Sequence, residues 1–147
     1  MAKRTPVSPE AEAKYDADVA LAQQFDDLFA QAQAAEKDLR DAQANGASLE
    51  ELHRAGKQFD SALTDVMRAG FAAQRAEIGS RGYDDRIYRR KAMATAPVKA
   101  WTMEAERLLT LRESHRLTGI VRLPRQPAGL AGAPARPAVI DNQTVVA

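Results

Sequence analysis

The chain has 147 residues, of which 45% are hydrophobic and 28% charged, and its formal net charge is +1. This length gives room for one domain, and the lack of cysteine excludes disulfides, thiolate catalysis and cysteine-ligated zinc. The basic N-terminus is followed by no apolar stretch, and no run approaches the ~18 apolar residues of a spanning helix. We therefore expect no signal peptide and no transmembrane segment, and the cytoplasm is one expected location.

The charges are distributed unevenly along the chain. Residues 8–44 contain nine acids and three bases, a net charge of −6, whereas residues 81–91 contain five bases and two acids, a net charge of +3. Such an asymmetry allows one face of the protein to attract the complementary face of another copy. The alternative interpretation is a set of ordinary solvated helix faces.

The first predicted helix begins after Ser8, a good N-cap that is followed by Pro9, and ends at Asn45-Gly46. Its apolar residues recur at steps of three and four, at an average near 3.4, which is typical of a coiled-coil-like stripe. We expect a single rod of roughly 55 Å. The stripe consists of Tyr15, Val19, Ala22, Phe25, Phe29, Ala32, Ala35, Leu39 and Ala42.

A second helix is predicted from the capping box Ser48–Glu51 to Gly79. The connection between the two helices is short, so they should form an antiparallel hairpin. The apolar stripe of the second helix is Leu49, Leu52, Gly56, Phe59, Leu63, Val66, Gly70 and Ala73. Its two glycines, fourteen residues apart, indicate either a close backbone approach that receives Phe25 or Phe29, or a tolerated weakness of the helix.

Two further helices complete the predicted body. The stretch 83–91 favours a short basic helix, and Pro97 marks the start of a third main helix that runs to about Leu117. Trp101 is expected to fill the contact between this helix and the hairpin. The fold class is therefore all-α, and the predicted core consists of Phe25, Phe29, Phe59, Leu63 and Trp101.

The last segment, 119–147, differs from the body because it contains four prolines and a single acid, Asp141. Proline lacks an amide donor and fixes φ, which excludes a helix here. We expect an extended arm in which Ile120–Leu123 can form one short strand and Val139–Ala147 can add as an edge strand to a neighbour's sheet. The predicted organisation is an N-terminal extension 1–7, a helical body 8–118 and a C-terminal arm 119–147.

Catalytic and ligand-binding patterns are weak in this sequence. His53 and His115 lack a partner at a metal-ligand spacing and are expected to be surface or capping residues. The acid pairs are adjacent in sequence, so their side chains diverge by about 100° on a helix and cannot form a dyad. We predict no catalytic, metal-binding or cofactor-binding residue and a protein that is not an enzyme.

The basic segment 81–91 has two interpretations. Arg86, Arg89 and Arg90 share a helix face beside Lys91, as a phosphate-binding surface would require. The same residues can instead pair with an acidic helix, within the fold or in another copy. A pI near 8.1 and the acidic first helix favour the protein contact.

The layout of a helical body with an extended arm is similar to that of small virion proteins of tailed phages, such as head–tail adaptors. This resemblance implies a multi-copy structural protein that docks on a ring or shell through its arm. The alternatives are a small nucleic-acid-binding protein, and an internal or ejected virion protein or coiled-coil scaffold. The candidate interaction residues are Arg86, Arg89, Arg90, Lys91, Ile120, Leu123, Val139, Ile140, Val145 and Val146.

Overall fold

A computed structural model describes residues 6–119 and Leu123. Within these residues the chain is all-helical, as predicted, and no strand occurs. The helices are α1 (Pro9–Ala22), α2 (Phe25–Ala44), α3 (Leu49–Ile78), α4 (Arg86–Ala92) and α5 (Ala96–Thr118), with a 3₁₀ helix at Ser80–Tyr83.

The first predicted helix is divided into α1 and α2, so the expectation of one continuous rod was wrong. The division lies at Gln23–Gln24, where the Gln24 amide donates to the Leu21 carbonyl, three residues back, at 3.0 Å. This three-residue hydrogen bond separates the two helical segments. Ala22 and Phe25, on either side of it, are both fully buried, so each segment packs its own apolar face.

The helix ends follow the local signals in the sequence. The Ser8 hydroxyl accepts the Ala11 amide at 3.1 Å, and the Ser48 hydroxyl accepts the Glu51 amide at 3.2 Å. Gly119 follows α5 with a φ of 71°, a left-handed conformation that costs little without a side chain. The predicted boundary of the helical body at residue 118 therefore coincides with the end of α5.

Helix α3 lies at the centre, with α1, α2 and α5 packed around it. The five predicted core side chains are all buried. The Trp101 ring meets Phe25 edge to face at 4.9 Å between centroids, so α5 is joined to the hairpin as predicted. Phe59 and Leu63 form a second cluster with Ala35 and Leu39 of α2.

The two glycines of α3 have different environments. A Cβ at Gly70 would lie 3.3 Å from the Ala105 Cβ and 3.6 Å from the Phe25 ring, so α5 and α2 both approach closely here. At Gly56 the nearest atom is a carbon of the His115 ring at 4.0 Å. Close approach therefore explains Gly70 but not Gly56.

Two side chains differ from the sequence prediction. Leu49, assigned to the apolar stripe, is 86% exposed because it lies in the first turn of α3, where nothing packs over it. His115, expected at the surface, is 7% exposed: its Nε2 lies 2.9 Å from the Gly56 carbonyl oxygen and its ring meets Phe59 edge to face. His53 is exposed, as predicted.

A candidate docking cleft

A wide cleft of about 1190 Å³ lies where the C-terminal end of α3, the segment before α1 and helix α4 meet. Its lining combines an apolar floor with five arginines. The lining residues are Pro6, Val7, Gln74, Arg75, Ile78, Arg81, Asp84, Asp85, Arg86, Ile87, Arg89, Arg90 and Met93. The three arginines predicted to share a helix face all contribute to the cleft, whereas Lys91 does not line it.

Local sequence signals form the wall of the cleft. Gly79, with a φ of 100°, ends α3 and turns the chain into the 3₁₀ helix. A Cβ at Gly82 would lie 2.5 Å from the Ile78 Cγ2, so only glycine permits this approach. Asp85 then caps α4 by accepting the Tyr88 amide at 3.0 Å, and this hydrogen bond lowers the pKa of the Asp85 carboxyl.

Long-range polar contacts attach this wall to the body. The Asp84 carboxylate accepts the Ser8 amide at 2.7 Å and the Ser8 hydroxyl at 2.9 Å. Further along α1, Asp18 accepts the Tyr83 hydroxyl and two guanidinium N–H groups of Arg75, the latter at 2.8 and 3.0 Å. Burial, followed by the neighbouring Asp18, raises the pKa of Tyr83, so this phenol remains a donor over the physiological range.

The arginines of the cleft are not equally available. Arg75 is paired with Asp18, and Arg81 contacts Asp85 at 3.3 Å while lying 4.6 Å over the Tyr88 ring. In the described part of the chain, Arg86 and Arg90 form no ion pair. Arg89 lies between these extremes, because its guanidinium reaches only the Gly82 carbonyl at 3.5 Å.

Within the described residues, no ion pair joins a basic side chain of segment 81–91 to the acidic first helix; the guanidinium that binds Asp18 is that of Arg75, in α3. The contacts to α1 and its cap are made by Tyr83 and Asp84, not by the arginines of α4. This leaves α4 with exposed positive charge next to Ile87, which is 69% exposed. The exposed Ile87 beside the unpaired Arg86 and Arg90 forms a surface that can accept an acidic and partly apolar partner.

The predicted interaction residues of the arm fall mostly outside the described residues, including Ile120, Val139, Ile140, Val145 and Val146. The exception is Leu123, which is half-buried against both apolar clusters of the body. The Gln43 side chain also donates to the Gly119 carbonyl at 3.0 Å. The contacts of Leu123 are thus with its own body, whereas the sequence analysis assigned this residue to a neighbour.

Some polar residues of interest had no recognisable signal in the sequence. Glu104 is 2% exposed and accepts two guanidinium N–H groups of Arg107, at 2.9 and 2.5 Å. The pair has the i,i+3 spacing of a surface ion pair, so its burial follows only from the packing of α5. Arg75 also lines the cleft, and the sequence did not predict this because its partner Asp18 is 57 residues away.

Comparison with protein-family models, with curated proteins and with solved structures finds no match to this chain. Among the described residues, no helix combines the length and the apolar character that a membrane span requires. The same residues contain no group of three or more histidine, cysteine or acidic side chains placed to hold a metal ion.

Proposed function

We propose that this chain is a non-enzymatic assembly protein, present in several copies within a larger complex and docked through the cleft and the arm 119–147. A head–tail connector of a tailed phage is the kind of complex that its layout suggests. The observation that carries the proposal is the cleft itself, with Arg86 and Arg90 unpaired around the exposed Ile87.

The rest of the described body supports this role. Helices α2, α3 and α5 are joined by a continuous apolar core, and the wall of the cleft is held to α1 by Asp18 and Asp84. A rigid body that presents a preorganised surface loses little conformational entropy when it binds. A partner can therefore dock on α4 without first reordering it.

The proposal is tested by measuring the mass of the full-length protein in solution, alone and with candidate partners, against a truncated chain. The cut is placed after Arg125 and not after Gly119, because Leu123 packs on the body and its loss would confound stability with assembly. We expect a multi-copy oligomer or a stable complex for the full chain and a smaller species for the truncated chain. Identical masses for both would contradict docking through the arm.

A small nucleic-acid-binding protein is the second candidate, favoured by the unpaired Arg86 and Arg90. It predicts binding to any duplex with an affinity that falls steeply with salt, by a slope near −0.9 for each phosphate contact. Substitution of both arginines by glutamine should then reduce the slope by about two. Duplex binding unaffected by this substitution would rule out α4 as the nucleic-acid contact.

A further inference from the structure

We infer that the cleft receives the acidic outer face of helix α2 from a second copy of this chain, so that copies associate head to tail. This inference rests on the proposed function and names the partner of its cleft. The face in question, called here the acidic stripe, consists of Asp27, Gln31, Ala34, Asp38 and Asp41.

The acidic stripe is a single outward surface of α2. Its members recur at steps of four and three, which places them on one side of the helix, and all five are exposed. The opposite side of the same helix carries the buried Phe25 and Phe29. Within the described residues Asp27 and Asp38 form no ion pair, while Asp41 is bound by Lys37 at 2.6 Å.

The chemistry of the two surfaces is complementary. Arg86 and Arg90 lie one helical turn apart, about 6 Å along the axis, and Asp38 and Asp41, about 4.5 Å apart along α2, are the two carboxylates of the stripe that come nearest to this spacing. Guanidinium groups bind carboxylates through paired, charge-assisted hydrogen bonds. Between the acids, Ala34 is small enough for the exposed Ile87 to lie against the α2 backbone.

The composition of the cleft favours a protein over a nucleic acid. Val7, Ile78 and Ile87 give the cleft an apolar floor that offers nothing to a phosphate backbone. A helix face that carries carboxylates beside a small side chain can contact both the arginines and this apolar floor.

The acidic stripe of the same molecule cannot occupy its own cleft. Phe25, at the start of α2, lies beside Gly70, and α2 then runs away from the cleft so that Leu39 packs with Phe59 and Leu63. From residue 63 to Ile78, at the cleft, α3 advances about 22 Å. The contact is therefore between copies, and where it is not reciprocated within one pair it is heterologous and generates a ring or an open chain.

The test uses charge reversal in the full-length protein, with mass measured by analytical ultracentrifugation at 0.05, 0.15 and 1 M salt. The cleft variant is Arg86→Glu with Arg90→Glu, and the stripe variant is Asp27→Lys with Asp38→Lys. A matched control reverses Lys57 and Arg68, which are exposed and outside the cleft. All of these side chains are exposed. Circular dichroism of each variant serves as the check that it remains helical.

We expect the unmodified chain and the control to associate at low salt and to dissociate at 1 M, because the Debye length falls to about 3 Å. Each reversal variant should weaken association at least tenfold. A mixture of the two variants should associate again, since the unchanged stripe of the cleft variant fits the unchanged cleft of the stripe variant. The resulting assembly can also grow, because its remaining cleft is negative and its remaining stripe is positive, which is the same pairing with the charges exchanged.

Three results would overturn the inference. If both reversals leave the oligomer unchanged while truncation of the arm dissolves it, the cleft is not the contact, and the proposed function stands only for docking through the arm. If the cleft variant loses duplex DNA binding with no change in mass, the occupant is a nucleic acid. If the full chain is monomeric at every salt concentration and binds no partner, both the inference and the proposed function fail.

Discussion

Replacing each glycine of α3 by alanine should change stability in opposite directions. Alanine in a helix interior is more favourable than glycine by about 1 kcal/mol, and both Gly56 and Gly70 lie well inside α3. At Gly56 the new methyl group would meet only a His115 ring carbon at 4.0 Å, an ordinary contact. Gly56→Ala should therefore raise the free energy of unfolding by roughly 0.5–1 kcal/mol.

At Gly70 the same methyl group enters a closed space. It would lie 3.3 Å from the Ala105 Cβ, which is tighter than an ordinary contact, and because this Cβ is fixed to its backbone only a shift of α5 can relieve the crowding. Overpacking of a core typically costs about 1–3 kcal/mol, which equals or exceeds the helical gain. We expect Gly70→Ala to lower the free energy of unfolding by up to about 2 kcal/mol.

The assay is urea unfolding followed by circular dichroism at 222 nm, with equal m-values required before stabilities are compared. The double variant Gly70→Ala with Ala105→Gly removes the crowding methyl group, so the two changes should couple favourably by about 0.5–2 kcal/mol. If Gly70→Ala stabilised the protein as much as Gly56→Ala, the close approach of α5 would not constrain this position, and the reasoning would be refuted.

Three further outcomes are expected. Arg107→Ala leaves the buried Glu104 carboxylate without its partner and should lower the free energy of unfolding by about 3 kcal/mol, measured by thermal or urea unfolding. Loss of a surface ion pair would lower it by less than about 1 kcal/mol. Burial raises the pKa of Glu77, so the contribution of this carboxyl to stability is full below the unfolded value of 4.5 and is lost as pH rises through the folded pKa. Glu77→Gln should therefore raise the free energy of unfolding at pH 7 by about several tenths of a kcal/mol and leave it unchanged at pH 3. An equal effect at both pH values would contradict this. The hydrogen bond from Arg116 lowers the pKa of Asp60, so its contribution is present above 3.8 and is lost on acidification; Asp60→Asn should lower the melting temperature at pH 7 but not at pH 2, as calorimetry at the two pH values would show.

The candidate site was only partly predictable. The sequence indicated that Arg86, Arg89 and Arg90 share a helix face, because three- and four-residue spacing determines this without any tertiary information. It did not indicate that Asp85 would cap the helix or that Asp84 would bind Ser8, 76 residues away. The apolar floor was also missed, since Val7 and Ile78 belong to separate segments that meet only when α1 packs on α3.

What the sequence determined by itself is the local structure: where helices begin, which side each buries, and which side chains form the core. Serine caps, glycine stops and apolar periodicity act over a few residues, so Ser8, Ser48 and the buried line from Phe59 to Ala73 were all readable directly.

Only the tertiary structure decided the break at Gln23–Gln24, the burial of His115 and the attachment of Tyr83 to Asp18. Each depends on surfaces that are distant in sequence and that come together only when the helices pack. The same packing leaves the arginines Arg86 and Arg90 of α4 without an acidic partner in the described residues. Asp18 of α1 is bound by Arg75 and Tyr83, and the acidic stripe of α2 faces solvent elsewhere on the body.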